Sequence, residues 1–152
     1  MTTFAVSFYD VVLWLHITAV VVGFGGTFAY GIIIATAAKQ DPRAIPAVLA
    51  GVTQNSKTLV TGGGVLVLLT GIYLAADAWS MGDFFVSWGF VAVLVLIGMT
   101  HTVFRQNEEL AAKSAPGTPE HERAMGNLSR FGPIAGIIIV VTIYVMSAKP
   151  FL

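Results

Sequence analysis

Three histidines are the residues of this chain best suited to chemistry, and each sits in a different setting. His16 stands alone in "VLWLHITAVVVGFGGTFAYG", an apolar run rich in glycine. His101 lies in "GMTHTVFRQNEE", one turn before Arg105, and His121 lies in "PEHERA", a charged helix start. Neutral imidazole is a common metal ligand, and an ionisable group inside a membrane span points to function by default. The chain has no cysteine, so disulfides, thiolate metal sites and thioether attachment of haem are excluded.

His16 belongs to a stripe. On a helix, Tyr9, His16, Gly23 and Tyr30 recur every seven residues, with Ala19, Gly26 and Thr27 in the gaps, while Val20 and Val21 fall largely elsewhere. The chemistry this suggests is axial ligation of the iron of haem b by His16, with Gly23, Thr27 and Tyr30 as neighbours. A glycine two turns from the ligand, ~10 Å by helical rise, leaves a slot for a flat macrocycle and equally admits another helix. The competing reading is an interior imidazole bonded to a Tyr, Thr or Ser of a neighbouring span.

His101 is the weaker cofactor candidate. Counted along antiparallel helices it differs in depth from His16 by roughly 15 Å, too much for the two to clasp one upright ring. Adjacent Glu120, His121 and Glu122 point in different directions, so His121 is expected on a solvated helix start with no metal site.

These residues need a frame, and the composition supplies one. Of 152 residues, 56% are hydrophobic and 11% charged, against the roughly 25% charged of soluble domains. Four apolar blocks, approximately 8–37, 58–77, 85–104 and 131–148, each approach or exceed the ~20 residues that cross a hydrocarbon core. Backbone groups in lipid must be satisfied internally, so each block is expected as a helix. The first lacks the basic start and small-residue cleavage site of a signal peptide. Zero net charge gives no reason to expect nucleic acid as a partner.

Seven of the eight Lys and Arg fall in the first and third connections, and only Lys149 lies elsewhere. By the positive-inside rule, both termini face away from the cytoplasm. Asp41–Pro42 and Thr118–Pro119 read as helix starts in the two inner connections. "RQNEELAAKS" reads as an inward extension of the third helix. A faint echo between "AAKQDP…NSKTLVTGGG" and "AAKSAPGTP…LSRFGPIAG" suggests two helical hairpins on a duplicated plan. Gly23, Gly26, Gly64, Gly71, Gly98, Gly132 and Gly136 are expected where helices pack, because small residues let transmembrane backbones approach. No Asp, Glu, Lys or Arg lies deep in any span, which argues against ion transport.

The runs "LHITAVVVGFGGTF", "GGGVLVLLTGIYL" and "SWGFVAVLVLIGM" resemble a family of small bacterial integral membrane proteins grouped with the CopD-like membrane proteins. The HemJ-type protoporphyrinogen oxidases are more distant neighbours of that group. His16 matches the first-span histidine of their pattern, while the basic residue and second histidine of a HemJ-like active site have no clear match. The resemblance therefore implies haem binding rather than oxidase chemistry.

The expectation is an all-α polytopic membrane protein, a single four-helix domain over residues 1–152 with short cytoplasmic helical extensions. It would sit in a bacterial inner membrane, in contact with the lipid bilayer. Haem-b binding or redox-linked function through His16 is one reading. The other is a non-catalytic accessory or assembly subunit, docking on other membrane subunits or on itself; a small transporter is the third.

Overall fold

Ser7 opens the first helix. In the computed structural model, which describes residues 6–150, its hydroxyl accepts from the Asp10 amide at 3.2 Å. Asp10 Oδ2 in turn accepts from the Ser7 amide at 2.9 Å. This reciprocal cap satisfies donors that a helix N-terminus otherwise leaves free. Helix α1 (Phe8–Phe24) is interrupted at Gly25–Gly26 and resumes as α2 (Thr27–Gln40). The interruption has a local cause: a glycine pair weakens the ladder, and Thr27 Oγ1 donates to the Phe24 carbonyl at 2.6 Å.

Asp41 accepts from the Arg43 amide at 3.0 Å and starts a 3-10 turn, Pro42–Ala44. Helix α3 (Ile45–Asn55) follows and passes through a π turn, Ser56–Val60, into α4 (Thr61–Ala78). The third rod is α5 (Phe84–Met99), a π turn at Thr100–Phe104, and α6 (Arg105–Lys113). The fourth is α7 (Pro119–Ala148), capped by Thr118 Oγ1, which accepts from the His121 amide at 3.4 Å. The rods Phe8–Gln40, Pro42–Ala78, Phe84–Lys113 and Pro119–Ala148 are each long and apolar enough to cross a membrane. Among the described residues there is no strand. The chain is an all-α polytopic membrane protein.

The rods are 30 to 37 residues long, or ~45–55 Å, which outreaches a hydrocarbon core of ~30 Å. The excess lies at the end holding the long connections. There α6 carries Arg105, Glu108, Glu109 and Lys113 within nine residues, a charge density that places it beyond the apolar span. We call this the connection end and the opposite one the terminal end. Gly25, Val60, Thr100 and Pro133 each lie about 15–18 residues, ~22–27 Å, from the terminal end of their rods. Three of the four rods therefore depart from regular α-helix at one level, and the fourth, unbroken, carries its inner proline there.

Packing follows chain order: α1 against α4, α4 against α5, α5 against α7, with α2 closing on α7 beyond the interruption. Three apolar cores stack along the bundle. Ala75, Phe85, Val86 and Val145 hold the terminal end; Phe24, Val60, Val93, Leu96, Ala135 and Ile139 hold the middle. Ile45, Leu49, Ala111 and Ala124 hold the connection end.

Candidate functional site

Between the terminal and middle cores the four rods line a partly open cavity of about 480 Å³. Ligand pockets run to roughly 300–1,000 Å³, so the volume suits a cofactor-sized molecule. Its α1 wall is Tyr9, Leu13, His16, Ile17, Val20, Val21 and Phe24. Spacings of three and four residues put most of these on one helix face. Gly71 of α4 and Gly89 of α5 line it as well, so two walls lack side chains at those points. Phe24, Val93, Leu96 and Ile139 of the middle core form its floor.

His16 is the one histidine in this lining. Its Nδ1 lies 2.8 Å from Thr70 Oγ1 on α4. The Thr70 hydroxyl itself lies 2.6 Å from the Leu66 carbonyl. Two oxygens that close need a proton between them, and the hydroxyl has one to give. In the tautomer with its proton on Nδ1, His16 donates to Thr70 while Thr70 donates to Leu66; the Val67 backbone is a further hydrogen-bond partner of the ring. In that tautomer Nε2 keeps its lone pair, the state in which an imidazole binds a metal. Gly71 lies beside the ring: a Cβ there would touch His16 Cε1 at 3.4 Å, an ordinary van der Waals contact.

The rim at the terminal end is aromatic and cationic. Trp79 Nε1 donates to Tyr9 Oη at 3.3 Å. Lys149 Nζ sits 3.9 Å from the centroid of the Trp79 ring and 5.6 Å from that of Phe85. Tyr9, Trp79, Phe85 and Lys149 all line the cavity. Lys149 follows α7 in the left-handed region, with φ 44°, a conformation that costs a non-glycine residue about 1 kcal/mol or more. Its amide closes the helix on the Val145 carbonyl at 2.9 Å, so the strained turn aims the ammonium across the cavity mouth.

Only His16 of the expected cofactor neighbours reaches this cavity. Gly23 is packed against Gly63, where a Cβ would come within 3.1 Å of the Gly63 Cα. Seven residues fall short of two full turns by ~20°, so over Tyr9, His16 and Gly23 the stripe drifts off the cavity face. Val20 and Val21, expected elsewhere, line the cavity instead. Thr27 spends its hydroxyl on Phe24, and Tyr30, beyond the interruption, is bonded to Asn55. His101 is exposed on its π turn and does not line the cavity.

His121 requires a correction. It is 7% exposed rather than solvated, and its Nδ1 lies 3.1 Å from the Ala111 carbonyl. The cause is α6, which folds against the start of α7 and covers it. Among the described residues no group of three His, Cys, Asp or Glu could hold a metal ion.

The glycines divide by surroundings. Gly64 faces Ile97, Gly136 faces Phe28, and Gly26 faces Tyr30 and Asn55. Gly98 and Gly132 have nothing within 4 Å of a built Cβ. Gly63 and Gly89 were not singled out in the sequence, yet a Cβ at Gly63 would meet Gly23 Cα at 2.7 Å, and one at Gly89 would overlap Met146. The signal for Gly63 was present in "TGGG", where helical spacing alone did not say which glycine faced α1.

A second polar group lies at the connection end. Glu108 is 3% exposed and accepts from Thr53 Oγ1 at 3.0 Å. Asn107 Oδ1 accepts from Asn127 at 2.9 Å. Burial pushes the Glu108 carboxyl above its ordinary range, opposed by the Thr53 bond, with Glu109 raising it and Lys57 lowering it. Exposed Glu109 is held below the ordinary range, chiefly by Arg105.

Residues 10–150 match the model of a family described as "Predicted integral membrane protein (DUF2269)". The chain belongs to that family. No curated protein and no solved structure matches this DUF2269 chain. The reading of its site therefore rests on its own geometry.

Proposed function

We propose that this DUF2269 protein binds haem b, or a closely related iron porphyrin, in the cavity between its four spans, with His16 Nε2 as the protein ligand to iron. One observation carries the reading: His16 lines a largely apolar cavity of about 480 Å³ and bonds through Nδ1 to Thr70, and in the Nδ1-protonated tautomer its Nε2 keeps a lone pair for a metal. The donor set fits the group, since neutral imidazole oriented by a hydrogen bond is a standard iron ligand. Bound haem would supply one-electron chemistry. The chain's own part is to orient the imidazole through Thr70, to seat its ring over Gly71 and to keep water from the iron with the apolar walls. The resemblance of His16 to the first-span histidine of the CopD-like and HemJ-type pattern motivates the assignment.

Seven of eight cations at the connection end support placing that end in the cytoplasm of a bacterial cell and the cavity mouth on the far side of its inner membrane. A second reading has an observation of its own. Gly98 and Gly132 face open space, which leaves room for a further membrane helix, from another subunit or a second copy, in an accessory or assembly role.

Haem titration of the purified protein tests the first reading. Wild type should give a stoichiometric Soret band. His16→Ala should abolish or strongly shift it while keeping the wild-type helical content, since alanine is the best helix former. Thr70→Val should weaken haem binding about 10- to 100-fold through the unoriented imidazole. His101→Ala should leave the band unchanged. A wild-type protein that takes up no haem would sink the proposal.

A further inference from the structure

Lys149 is the feature of the cavity that a histidine ligand does not explain. The walls are almost wholly apolar, yet an ammonium stands at the mouth, over the Trp79 ring at 3.9 Å and near Phe85. Among the described residues no carboxylate lies within ion-pair distance of it; the ion pairs found there all converge on Glu109, at the other end of the bundle. It is held by a backbone conformation that lysine rarely adopts, with φ 44°. A cation with no carboxylate partner among the described residues, at the edge of an apolar chamber, is complementary to a ligand with an apolar body and an acidic end.

We propose that Lys149, with Trp79 and Phe85, is the carboxylate-recognition end of the cavity. The occupant is a flat dicarboxylate macrocycle whose acid edge lies at the terminal end and whose body lies beside His16. This rests on the porphyrin reading above and deepens it by fixing which way the ligand faces. His16 lies about eight residues inside α1, ~12 Å from its start at Phe8, whereas Lys149 is level with the helix end. Ligand body and acid edge are thus recognised at two depths, which a ring carrying both propionates on one edge satisfies. The rings below the ammonium hold it by cation–π attraction while leaving its other side free for an anion. A lysine is a point charge with rotatable donors, suited to either of two adjacent carboxylates.

The test uses the full chain in detergent and an iron-free probe, so that His16 ligation is not required. Protoporphyrin IX and its dimethyl ester are titrated while quenching of tryptophan fluorescence is followed, Trp79 lying under the ammonium. Wild type should bind the diacid at least ten times more tightly than the ester. Lys149→Gln should remove that preference and leave ester binding unchanged, which controls for folding. Raising salt should weaken diacid binding by wild type and not by Lys149→Gln. Equal affinity of wild type for diacid and ester would overturn the proposal. So would full displacement of the diacid by equimolar oleate, which would assign the site to a lipid acid, or failure of wild type to bind either porphyrin. If diacid binding depends on Lys149 but ferric haem gives no His16-dependent Soret shift, this inference stands and the iron-ligand reading falls.

Discussion

The two ends of the same four rods are built on opposite plans. At the connection end, polar groups on different helices meet, buried or half-buried: Thr53 with Glu108, Tyr30 with Asn55, Asn107 with Asn127, and His121 with the Ala111 carbonyl. Toward the terminal end, inter-rod polar bonds are fewer: His16 with Thr70, Trp79 with Tyr9, and Trp88 with Thr142. There the helices part around a cavity instead of closing on each other. Buried, satisfied polar networks fix one arrangement of a core, whereas an apolar cavity forgoes packing contacts that a filled core would have. The difference teaches where the bundle is tied together and where it is left open. One end ties the helices together, and the other leaves a space lined by a single histidine, His16, bonded to Thr70.

The level at which the plans change is the level at which three of the rods become irregular and the fourth carries a proline. The Gly25–Gly26 interruption, the π turns at Ser56–Val60 and Thr100–Phe104, and Pro133 all fall there. A π turn shifts the phase of the helix beyond it, so a rod can face the cavity on one side of the turn and the polar layer on the other. A duplicated plan would repeat its features in the second and fourth rods. The π turns fall in the second and third, so they do not follow that echo.

The largest effect should come from the place where α1 and α4 touch backbone to backbone. A Cβ at Gly63 would lie 2.7 Å from Gly23 Cα, and backbone cannot swing aside as a side chain can. Gly63→Ala should cost about 1–3 kcal/mol, the usual range for overpacking. Because this contact forms the base of the α1–α4 pair that carries His16 and Thr70, haem uptake should weaken with it. An unchanged melting temperature in detergent would mean that the two helices slide freely, and the contrast between a tight frame and an open cavity would lose its hinge point.

How much of this was legible in the sequence depends on which periodicity carried the signal. The four spans were, because twenty apolar residues have few other uses. His16 was, because an imidazole in such a run is conspicuous. The cavity face of α1 was not: a seven-residue stripe and a face that follows 3.6-residue turns separate by Gly23, and the glycine pair resets the phase before Tyr30. Glu108 was also missed. It reads as one charge among four in "RQNEELAAK", and only the packing of α3 and α7 around α6 buries it. His121 was misread for the same reason, since local charge says nothing of a helix that folds back over it.

The polar layer offers the next test. Thr53→Val removes the hydroxyl that donates to Glu108 and leaves a buried carboxyl without that bond, at a cost of about 1–2 kcal/mol. The pH dependence has a definite sign. The folded-state pKa of Glu108 is raised above the ordinary value of 4.5, so the folded protein holds this proton more tightly than the unfolded chain. Below that value both states are protonated and the raised pKa confers its full benefit. As pH climbs from there through the folded pKa, the unfolded chain ionises first and stability falls, then levels off. Glu108→Gln should flatten that fall. A variant whose melting temperature follows pH as wild type does would show that Glu108 is not the group responsible.

The smallest effect is expected where the structure shows open space. Gly98 is exposed, and a Cβ built there or at Gly132 meets nothing within 4 Å. Alanine at either position therefore adds no clash and gains the helix propensity that glycine lacks, about 0.5–1 kcal/mol. In detergent, Gly98→Ala and Gly132→Ala should melt at or slightly above the wild-type temperature, in contrast to Gly63→Ala. In the native membrane the same variants probe the second reading. If another helix packs onto this side, two methyl groups would hold it away and reduce crosslinking of the protein to its neighbour or to a second copy. Unchanged crosslinking would leave these glycines facing lipid, and the tight backbone contact would then belong to the α1–α4 pair alone. A melting temperature several degrees lower for Gly98→Ala, with helical content retained, would mean that the third rod packs more closely than its open surroundings indicate.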